Sequence, residues 1–299
     1  MAVTEIFKGF YRINLPIPRG GFESFLDGWL IDDREKERTI LVETGPASAV
    51  PELLRRLEEL KVNEIDYLIL THIHLDHAGG AGQFIEAFPD TKVLAPEKGR
   101  RHLIDPSKLA AGSRTSLGNL CDVYGVPRPV PAENIAESIS GLTIIDTPGH
   151  APHHSSYIYE LNGKKILFAG EASGCWFALD GGDYFMRPAT PHKFFYDSAA
   201  ASLAKLRELK GIDLVCFPHS GYTEKGGEIF EKAAAQMSLW YYTISELSSG
   251  ASPEEAVALL KEREPMLKKL SLLPENVRKR EEFFITQSAK GFLGWINRQ

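Results

Sequence analysis

The sequence predicts a layered α/β fold built on mixed β-sheets, with a helical region at its carboxy-terminal end. Short apolar runs at residues 25–31 and 39–43 flank a charged segment, an order typical of a hairpin. Later strand candidates alternate with helix candidates, which favours an α/β arrangement over an all-β one. From about Gly226 the residues are mainly Glu, Lys, Ala and Leu with helical periodicity. We therefore expect one main domain over residues 1–225 and a helical extension over 226–299 packed on it.

Each element is predicted from its local pattern. The apolar residues between 50 and 60 recur at helical spacing, and residues 66–70 are short and apolar enough for a buried strand. Asn162-Gly163 tolerates positive φ and joins two strand candidates as a hairpin. Ser252, followed by proline and two glutamates, indicates a helix start. Further predicted strands lie at 92–94, 142–146, 156–160, 166–169 and 214–217, with helices beginning near 79 and spanning 198–210.

Composition narrows the class of protein. The chain has 299 residues, 43% of them hydrophobic, which is enough for a substantial core. A net charge of -6 without a Lys/Arg-rich block argues against nucleic-acid and anionic-membrane partners. The three cysteines are widely spaced, and the amino terminus lacks the pattern of a signal peptide. We therefore expect a cytoplasmic protein that acts on a small molecule, with self-association into a homo-oligomer left open.

The strongest chemical signal directly follows the predicted strand at 66–70, where four metal-binding side chains lie within six residues. In an extended chain, residues two apart face the same side, so His72 and His74 can point at one cation. A turn towards a helix can bring Asp76 and His77 to a second cation nearby. Imidazoles and carboxylates are ligands for zinc, and also for iron and manganese. The segment therefore predicts a metal site.

The residues from 71 to 80 resemble the His-x-His-x-Asp-His signature, followed by Gly-Gly, of the metallo-β-lactamase-fold superfamily. The later motifs also follow the family's order, and the resemblance covers about residues 8–222. It implies an αββα sandwich of two mixed β-sheets flanked by helices, with a metal site at one edge between the sheets. His150, Glu171 and His219 fall on the family's later ligand positions, each after a predicted strand.

The same resemblance implies roles for these residues. Two divalent metal ions would be bound, zinc first and iron or manganese as alternatives. Asp76 would also orient the nucleophilic hydroxide and pass a proton to the leaving group. Glu43 would orient a ligand histidine, and His154 would be a structural hydrogen-bonding residue. One metal would be held by His72, His74 and His150, the other by Asp76, His77 and His219, with Glu171 spanning both.

Two positions depart from the family pattern. The family usually has aspartate where this chain has Glu43 and Glu171. A glutamate is one methylene longer, so it can still bind a metal but with a different reach. If Glu171 turned away from the metals, the site would hold a single ion.

In pattern, the chain is nearest to the glyoxalase-pathway thioesterase (hydroxyacylglutathione hydrolase) and lactonase-like branches. It lacks the Cys-Gly-Cys-Gly-Arg-like run of the first and the Asp-x-x-Tyr arrangement of the second, so the subfamily stays open. The expected function is hydrolysis of an ester, thioester or lactone by a metal-bound hydroxide. One alternative is a mononuclear iron-dependent oxygenase resembling persulfide dioxygenases. Another is a non-catalytic metal-binding interaction protein.

Substrate contacts are expected from the aromatic-rich segment at 174–195, which directly follows Glu171. Trp176 is a candidate for an apolar wall of the site, and Arg187 for contact with an anionic substrate. Tyr222 is a candidate hydrogen-bond donor to a carbonyl oxygen. The competing interpretation is that the aromatic residues pack against the carboxy-terminal helices.

Overall fold

The computed structural model describes residues 2–299, which divide into two compact units. The amino-terminal unit comprises residues up to 143 together with 157–163. The carboxy-terminal unit comprises residues 144–156 and 164–299. Among the residues described, no helix is both long enough and apolar enough to cross a membrane.

The amino-terminal unit is built on a seven-stranded sheet in which the strands follow one another in chain order. The first four strands pair antiparallel, and the next three are added in parallel, each after a connection that contains a helix. Parallel neighbours require such crossovers. The strands are β1 (Val3–Phe7), β2 (Phe10–Asn14), β3 (Asp27–Asp33), β4 (Arg38–Val42), β5 (Tyr67–Ile69), β6 (Lys92–Leu94) and β7 (Ile135–Ala136).

The helices of this unit follow β4 onwards. Leu53 and Leu57 of the first helix are fully buried, as the helical spacing predicts, and so are Leu41 and Leu68 on neighbouring strands of the sheet. The helices are α1 (Val50–Glu59), α2 (Leu75–Ala78), α3 (Ala81–Ala87), α4 (Glu97–Ile104), α5 (Ser107–Leu117) and α6 (Leu120–Tyr124), with short 3₁₀ turns at Ala47–Ala49 and Ala132–Asn134.

A second sheet has five strands, which lie in the order 221–223, 214–217, 164–168, 155–161 and 142–146. The hairpin between the strands at 155–161 and 164–168 turns at Asn162 and Gly163, both with positive φ, as predicted. The aromatic-rich segment forms a separate two-stranded hairpin, β11 with β12. The strands are β8 (Leu142–Asp146), β9 (Ser155–Leu161), β10 (Lys164–Phe168), β11 (Cys175–Ala178), β12 (Tyr184–Arg187), β13 (Leu214–Phe217) and β14 (Gly221–Thr223).

Helices complete the carboxy-terminal unit. Trp240 and Phe292 are fully buried with ring centroids 5.8 Å apart, so two of the last helices pack through aromatic side chains. The side chain of Ser252 caps the helix start that the sequence predicts, and Glu255 completes a reciprocal cap. The helices are α7 (Tyr196–Glu208), α8 (Gly226–Ser245), α9 (Pro253–Arg263) and α10 (Glu275–Ile296), with 3₁₀ segments at Asp180–Gly182 and Pro265–Leu272.

The predicted α/β class, with mixed sheets and a helical carboxy-terminal region, is confirmed. A domain boundary between residues 225 and 226 stays a prediction.

Candidate metal centre

In the amino-terminal unit, a cluster of histidines lies just beyond the end of β5. His74 has extended backbone angles and immediately precedes α2, whose first turn contains Asp76 and His77. The ring of His72 lies 4.6 Å from that of His74 and 4.0 Å from that of His77, centroid to centroid. Oδ2 of Asp76 is 3.5 Å from Nε2 of His77. The sequence motif therefore gathers three imidazoles and a carboxylate at one place.

Glu43 supports this cluster through Thr71. The carboxylate oxygen Oε1 accepts hydrogen bonds from the backbone N–H of Thr71 at 3.0 Å and from its hydroxyl at 2.5 Å. Because the Thr71 hydroxyl proton is given to Glu43, its oxygen can accept from Nδ1–H of His72, which lies 3.1 Å away. In that tautomer, Nε2 of His72 presents a lone pair suited to a metal ion.

Glu43 also faces a second histidine of the cluster. Its Oε2 is 3.7 Å from Nδ1 of His77, whose carbonyl oxygen accepts hydrogen bonds from the backbone and the hydroxyl of Thr44. Burial raises the pKa of Glu43, although His77 and Thr71 act in the opposite direction. The residue adopts a φ of 65°, which is unusual for a residue other than glycine. The buried side chain of Glu43 therefore lies beside two imidazoles, and its role in orienting a ligand histidine stays a prediction.

In the carboxy-terminal unit, three candidate ligands follow three different strands. His150 comes after β8, Glu171 after β10 and His219 after β13. Oε2 of Glu171 is 3.0 Å from Nε2 of His150, and Oε1 is 3.4 Å from Nε2 of His219. Nδ1 of His150 donates to the carbonyl oxygen of Ala189 at 2.8 Å, which leaves Nε2 facing the carboxylate. Each oxygen of this buried carboxylate therefore faces a different histidine.

The charge state of Glu171 follows from these neighbours. Burial alone would raise its pKa, but the charges and hydrogen bonds of His150 and His219 outweigh burial and hold the pKa well below its usual range. Glu171 is therefore an ionised, acceptor-only side chain at neutral pH. Such a carboxylate is a suitable partner for a divalent cation.

His154 supports Glu171 through a chain of hydrogen bonds. Ser156 donates its hydroxyl proton to the carbonyl oxygen of Ala169 at 3.0 Å, so the neighbouring Thr147 hydroxyl, 3.0 Å away, donates to Ser156. Thr147 can then accept from Nδ1–H of His154 at 2.9 Å. Nε2 of His154 is consequently an acceptor, as required by its contact with the backbone N–H of Glu171.

The chemistry of both ligand sets fits a divalent metal ion. They consist of buried or half-buried imidazoles and carboxylates, several with their second nitrogen or oxygen already held by the protein. This is the donor type that binds zinc, iron and manganese in proteins. Glu171 and His219 also form a compact group of potential ligand atoms with Cys175.

Comparison with known proteins identifies the family. The profile described as Metallo-beta-lactamase superfamily matches residues 27–219, which is more than half of the chain. The chain belongs to the metallo-beta-lactamase superfamily. The match spans the predicted ligand positions in both units, from His72 to His219.

Relatives of this superfamily member include proteins with different names. Metallo-beta-lactamase fold-containing protein ST1585 of Sulfurisphaera tokodaii is 26% identical over 212 residues, covering 67% of this chain and 74% of that protein. Hydroxyacylglutathione hydrolase of Erwinia tasmaniensis is 27% identical over 227 residues, covering 74% of this chain and 73% of the enzyme. The enzyme of the same name from Cupriavidus taiwanensis is 26% identical over 256 residues, covering 83% of each chain.

Solved structures confirm the metallo-β-lactamase fold. The archaeal superfamily protein ST1585 from Sulfolobus tokodaii superposes with a TM-score of 0.59 at 23% identity, covering 92% of this chain and 99% of that one. The metallo-beta-lactamase family protein TTHA1429 from Thermus thermophilus gives a TM-score of 0.63 at 20% identity, covering 98% and 95%. At these identities the likeness concerns the fold.

The predicted substrate-contacting residues of this superfamily member have other partners within the carboxy-terminal unit. Arg187 is buried, and its Nε lies 2.6 Å from Oε2 of the equally buried Glu281. This ion pair balances the charge of Arg187 inside the protein, and contact of Arg187 with an anionic substrate stays a prediction.

Trp176 is buried as well and stacks on Phe217 of β13, with ring centroids 5.4 Å apart. Tyr222 lies on β14 opposite Cys216 and is half-buried. Substrate contact by Trp176 or Tyr222 stays a prediction.

Several groups that hydrogen-bond to the candidate ligands were not predicted from the sequence. Thr71 directly precedes His72, and Thr147 lies three residues before His150. Their closeness to candidate ligands in the sequence could have indicated a supporting role. The carbonyl oxygen of Ala189, which fixes His150, comes from 39 residues further along the chain and has no local signature.

Proposed function

We propose that this chain is a metal-dependent hydrolase that cleaves the acyl–oxygen or acyl–sulfur bond of an ester, thioester or lactone in a small-molecule substrate. The observation that carries the proposal is the buried, ionised Glu171, which turns one oxygen to His150 and the other to His219. A carboxylate can bind one metal ion through each oxygen, and an imidazole nitrogen beside each oxygen would supply a further ligand to each ion.

The metal centre is proposed to be binuclear, with zinc as the first choice and iron or manganese as alternatives. Support comes from the donor chemistry of both units and from the superfamily match across them. His72, His74 and His150 are assigned to one ion, Asp76, His77 and His219 to the other, and Glu171 to both.

In the proposed reaction, the metal ions and the protein side chains have different roles. Bound divalent metal would supply an acidified water at neutral pH and an electrophile for the substrate carbonyl oxygen. Asp76, whose side chain is partly exposed, is proposed to orient the attacking water and to pass a proton to the leaving group. Glu43 and Thr71 would hold the imidazoles in the tautomer that binds metal, so that little rearrangement is needed when the ion binds.

A thioester is the first substrate class to test. Hydroxyacylglutathione hydrolases from several bacteria are among the relatives of this chain, and their name describes hydrolysis of an acyl-glutathione. The identities of 26–27% support a shared chemistry and leave the acyl and thiol parts of the substrate open.

Metal analysis combined with a substrate panel tests this function. We expect about two zinc or manganese ions per chain and hydrolysis of at least one member of an ester, thioester and lactone panel. His74→Ala should lower the metal content and reduce activity by about a thousandfold or more, because it removes a ligand. His102→Ala is the matched control, since His102 is half-buried on α4 outside the cluster. One iron per chain with oxygen uptake and no hydrolysis would overturn the proposal, as would full activity in His74→Ala.

A further inference from the structure

Cys175 is a buried thiol that the proposed reaction does not use, and a tight turn places it beside Glu171. The turn is closed by a hydrogen bond from the backbone N–H of Gly174 to the carbonyl oxygen of Glu171 at 3.0 Å. Gly174 has a φ of 85°, and a Cβ there would lie 2.2 Å from the carbonyl oxygen of Arg187. Only glycine fits this conformation. The chain therefore brings the side chain of Cys175 back towards the carboxylate four residues earlier.

The distances in this corner match those of a metal-binding site. Sγ of Cys175 lies 3.4 Å from Oε1 of Glu171, and Nε2 of His219 lies 3.4 Å from the same oxygen. The three potential ligand atoms all lie within 4.8 Å of one another. Around a tetrahedral zinc with bonds of ~2.0–2.3 Å, neighbouring ligand atoms are separated by ~3.3–3.7 Å. The distances from Oε1 of Glu171 to Sγ of Cys175 and to Nε2 of His219 therefore both fall within the range for two ligands of one zinc ion.

We infer that Cys175 is a thiolate ligand of the metal position that Glu171 and His219 help to form. The inference rests on the proposed metal centre and adds a sulfur donor that the superfamily pattern described above does not include. On binding, the S–H bond is lost, its proton passes to solvent, and a sulfur–metal bond forms without any change in oxidation state. Without metal, Oε1 of Glu171 accepts a hydrogen bond from the thiol of Cys175. With metal, the same oxygen binds the ion instead.

Burial and the carboxylates of Glu171 and Glu281 raise the pKa of the Cys175 thiol, and Arg187 is the neighbouring charge that opposes them. Arg187 is directly opposite Cys175 in the β11–β12 hairpin and is buried with it. Arg187 and Arg280 share the single carboxylate of Glu281, so these three side chains together carry one excess positive charge. A thiolate near this group would be partly compensated, whereas a buried thiolate among apolar side chains would not.

A sulfur ligand changes which metals the site prefers. Thiolate binds zinc, cadmium and cobalt(II) well, whereas manganese(II) prefers oxygen and nitrogen donors. Replacing the sulfur by a hydroxyl should therefore weaken cadmium binding by at least about tenfold and change manganese binding much less.

Cobalt(II) titration of the full chain tests the inference. Wild-type protein should develop a thiolate-to-cobalt charge-transfer band in the near ultraviolet, and Cys175→Ser should bind cobalt without that band. Cys216→Ser is the matched control, because Cys216 is as buried as Cys175, at 1% exposure, and is not a member of the Glu171–Cys175–His219 group. It should keep the band. X-ray absorption of zinc-loaded wild-type protein needs no variant and should show sulfur at about 2.3 Å, with one sulfur for every two zinc ions when both proposed positions are filled.

The outcomes separate this inference from the proposed function. Cobalt or zinc binding without a charge-transfer band and without a sulfur neighbour would overturn the role of Cys175 and leave the metal centre standing. A band that survives in Cys175→Ser would also overturn it. No binding of cobalt or zinc by wild-type protein would overturn the metal centre itself, and the role of Cys175 with it.

Discussion

The backbone N–H of Glu171 donates a hydrogen bond to Nε2 of His154 at 3.0 Å. Glu171 is thereby held at its main chain by one histidine, while its side chain faces two others. Because Nδ1 of His154 bonds to Thr147, the imidazole joins the segment before His150 to the segment of Glu171. His154 is therefore placed to set the position of the carboxylate without contacting a metal itself.

Two substitutions separate the two bonds of His154. Asparagine can replace Nδ1 but does not reach Glu171, whereas the longer glutamine side chain can present an acceptor near the position of Nε2. We expect His154→Asn to lower zinc affinity by about 10–100-fold and His154→Gln to lower it less. Competition with a chromophoric chelator measures both. Equal losses in the two variants would contradict a positioning role through the backbone of Glu171.

Gly149 is required for the turn that delivers His150. Its φ is 143°, and a Cβ would lie 2.4–2.6 Å from the backbone and side chain of Ala199. Gly149→Ala should therefore destabilise the protein by about 2–4 kcal/mol, because helix α7 must move. Gly211→Ala is the control, since Gly211 also has positive φ but has no neighbour within 4 Å of the added Cβ. Urea unfolding should show a loss of only about 1 kcal/mol there. Similar losses in both variants would mean that the clash at Gly149 is relieved cheaply.

Sequence patterns located the parts of this molecule that are determined locally. The apolar run at 66–70 and the alternation of His72 and His74 predicted a strand followed by extended chain, and the structure has β5 and then the turn into α2. Asn162-Gly163 predicted the β9–β10 hairpin, because these residues tolerate positive φ. In each case the conformation follows from side-chain periodicity or from a residue that tolerates positive φ.

The parts that were not predicted depend on distant partners. Strands β1, β2 and β14 have only three to five residues and are stabilised by pairing with their neighbours. The aromatic segment was not predicted as the hairpin β11–β12. Its Arg187 carries a charge whose partner, Glu281, lies 94 residues further along the chain. A single sequence shows the charge at each position but not the pairing.

The buried ion pair of Arg187 gives a direct stability prediction. Glu281 is completely buried and pairs with Arg187 and Arg280, whose side chains are 3% and 4% exposed. Glu281→Gln would remove the carboxylate that these two buried guanidinium groups share and should cost about 3–5 kcal/mol. The exposed pair of Arg207 and Glu231 is the control, and Glu231→Gln should leave the unfolding midpoint unchanged within error. A Glu281→Gln protein as stable as wild type would show that solvent or rearrangement compensates the arginines.

The stability contributed by Asp33 should depend on pH. Its carboxylate accepts hydrogen bonds from the hydroxyl of Tyr159 at 2.6 Å and from Nζ of Lys36 at 2.8 Å. Burial acts to raise the pKa of Asp33, but these bonds outweigh it and the pKa is lowered. A lowered pKa means that the stabilisation is present above the pKa of the unfolded chain, near ~4, and is lost as the pH falls through the folded-state value.

Tyr159→Phe removes the hydroxyl donor from this carboxylate and retains the ring. At a pH of about 6–8 the variant should be less stable than wild type by about 1–3 kcal/mol, the range for a hydrogen bond to a charged group. Below about pH 4 the difference should shrink, because protonated Asp33 no longer gains from the bond as an anion. Urea unfolding at a series of pH values measures it. Tyr157→Phe is a useful comparison, since the Tyr157 hydroxyl donates to the carbonyl oxygen of Leu70, which does not titrate, so its loss should stay constant with pH. A Tyr159→Phe difference that is equally constant would show that the Tyr159 hydrogen bond does not lower the pKa of Asp33.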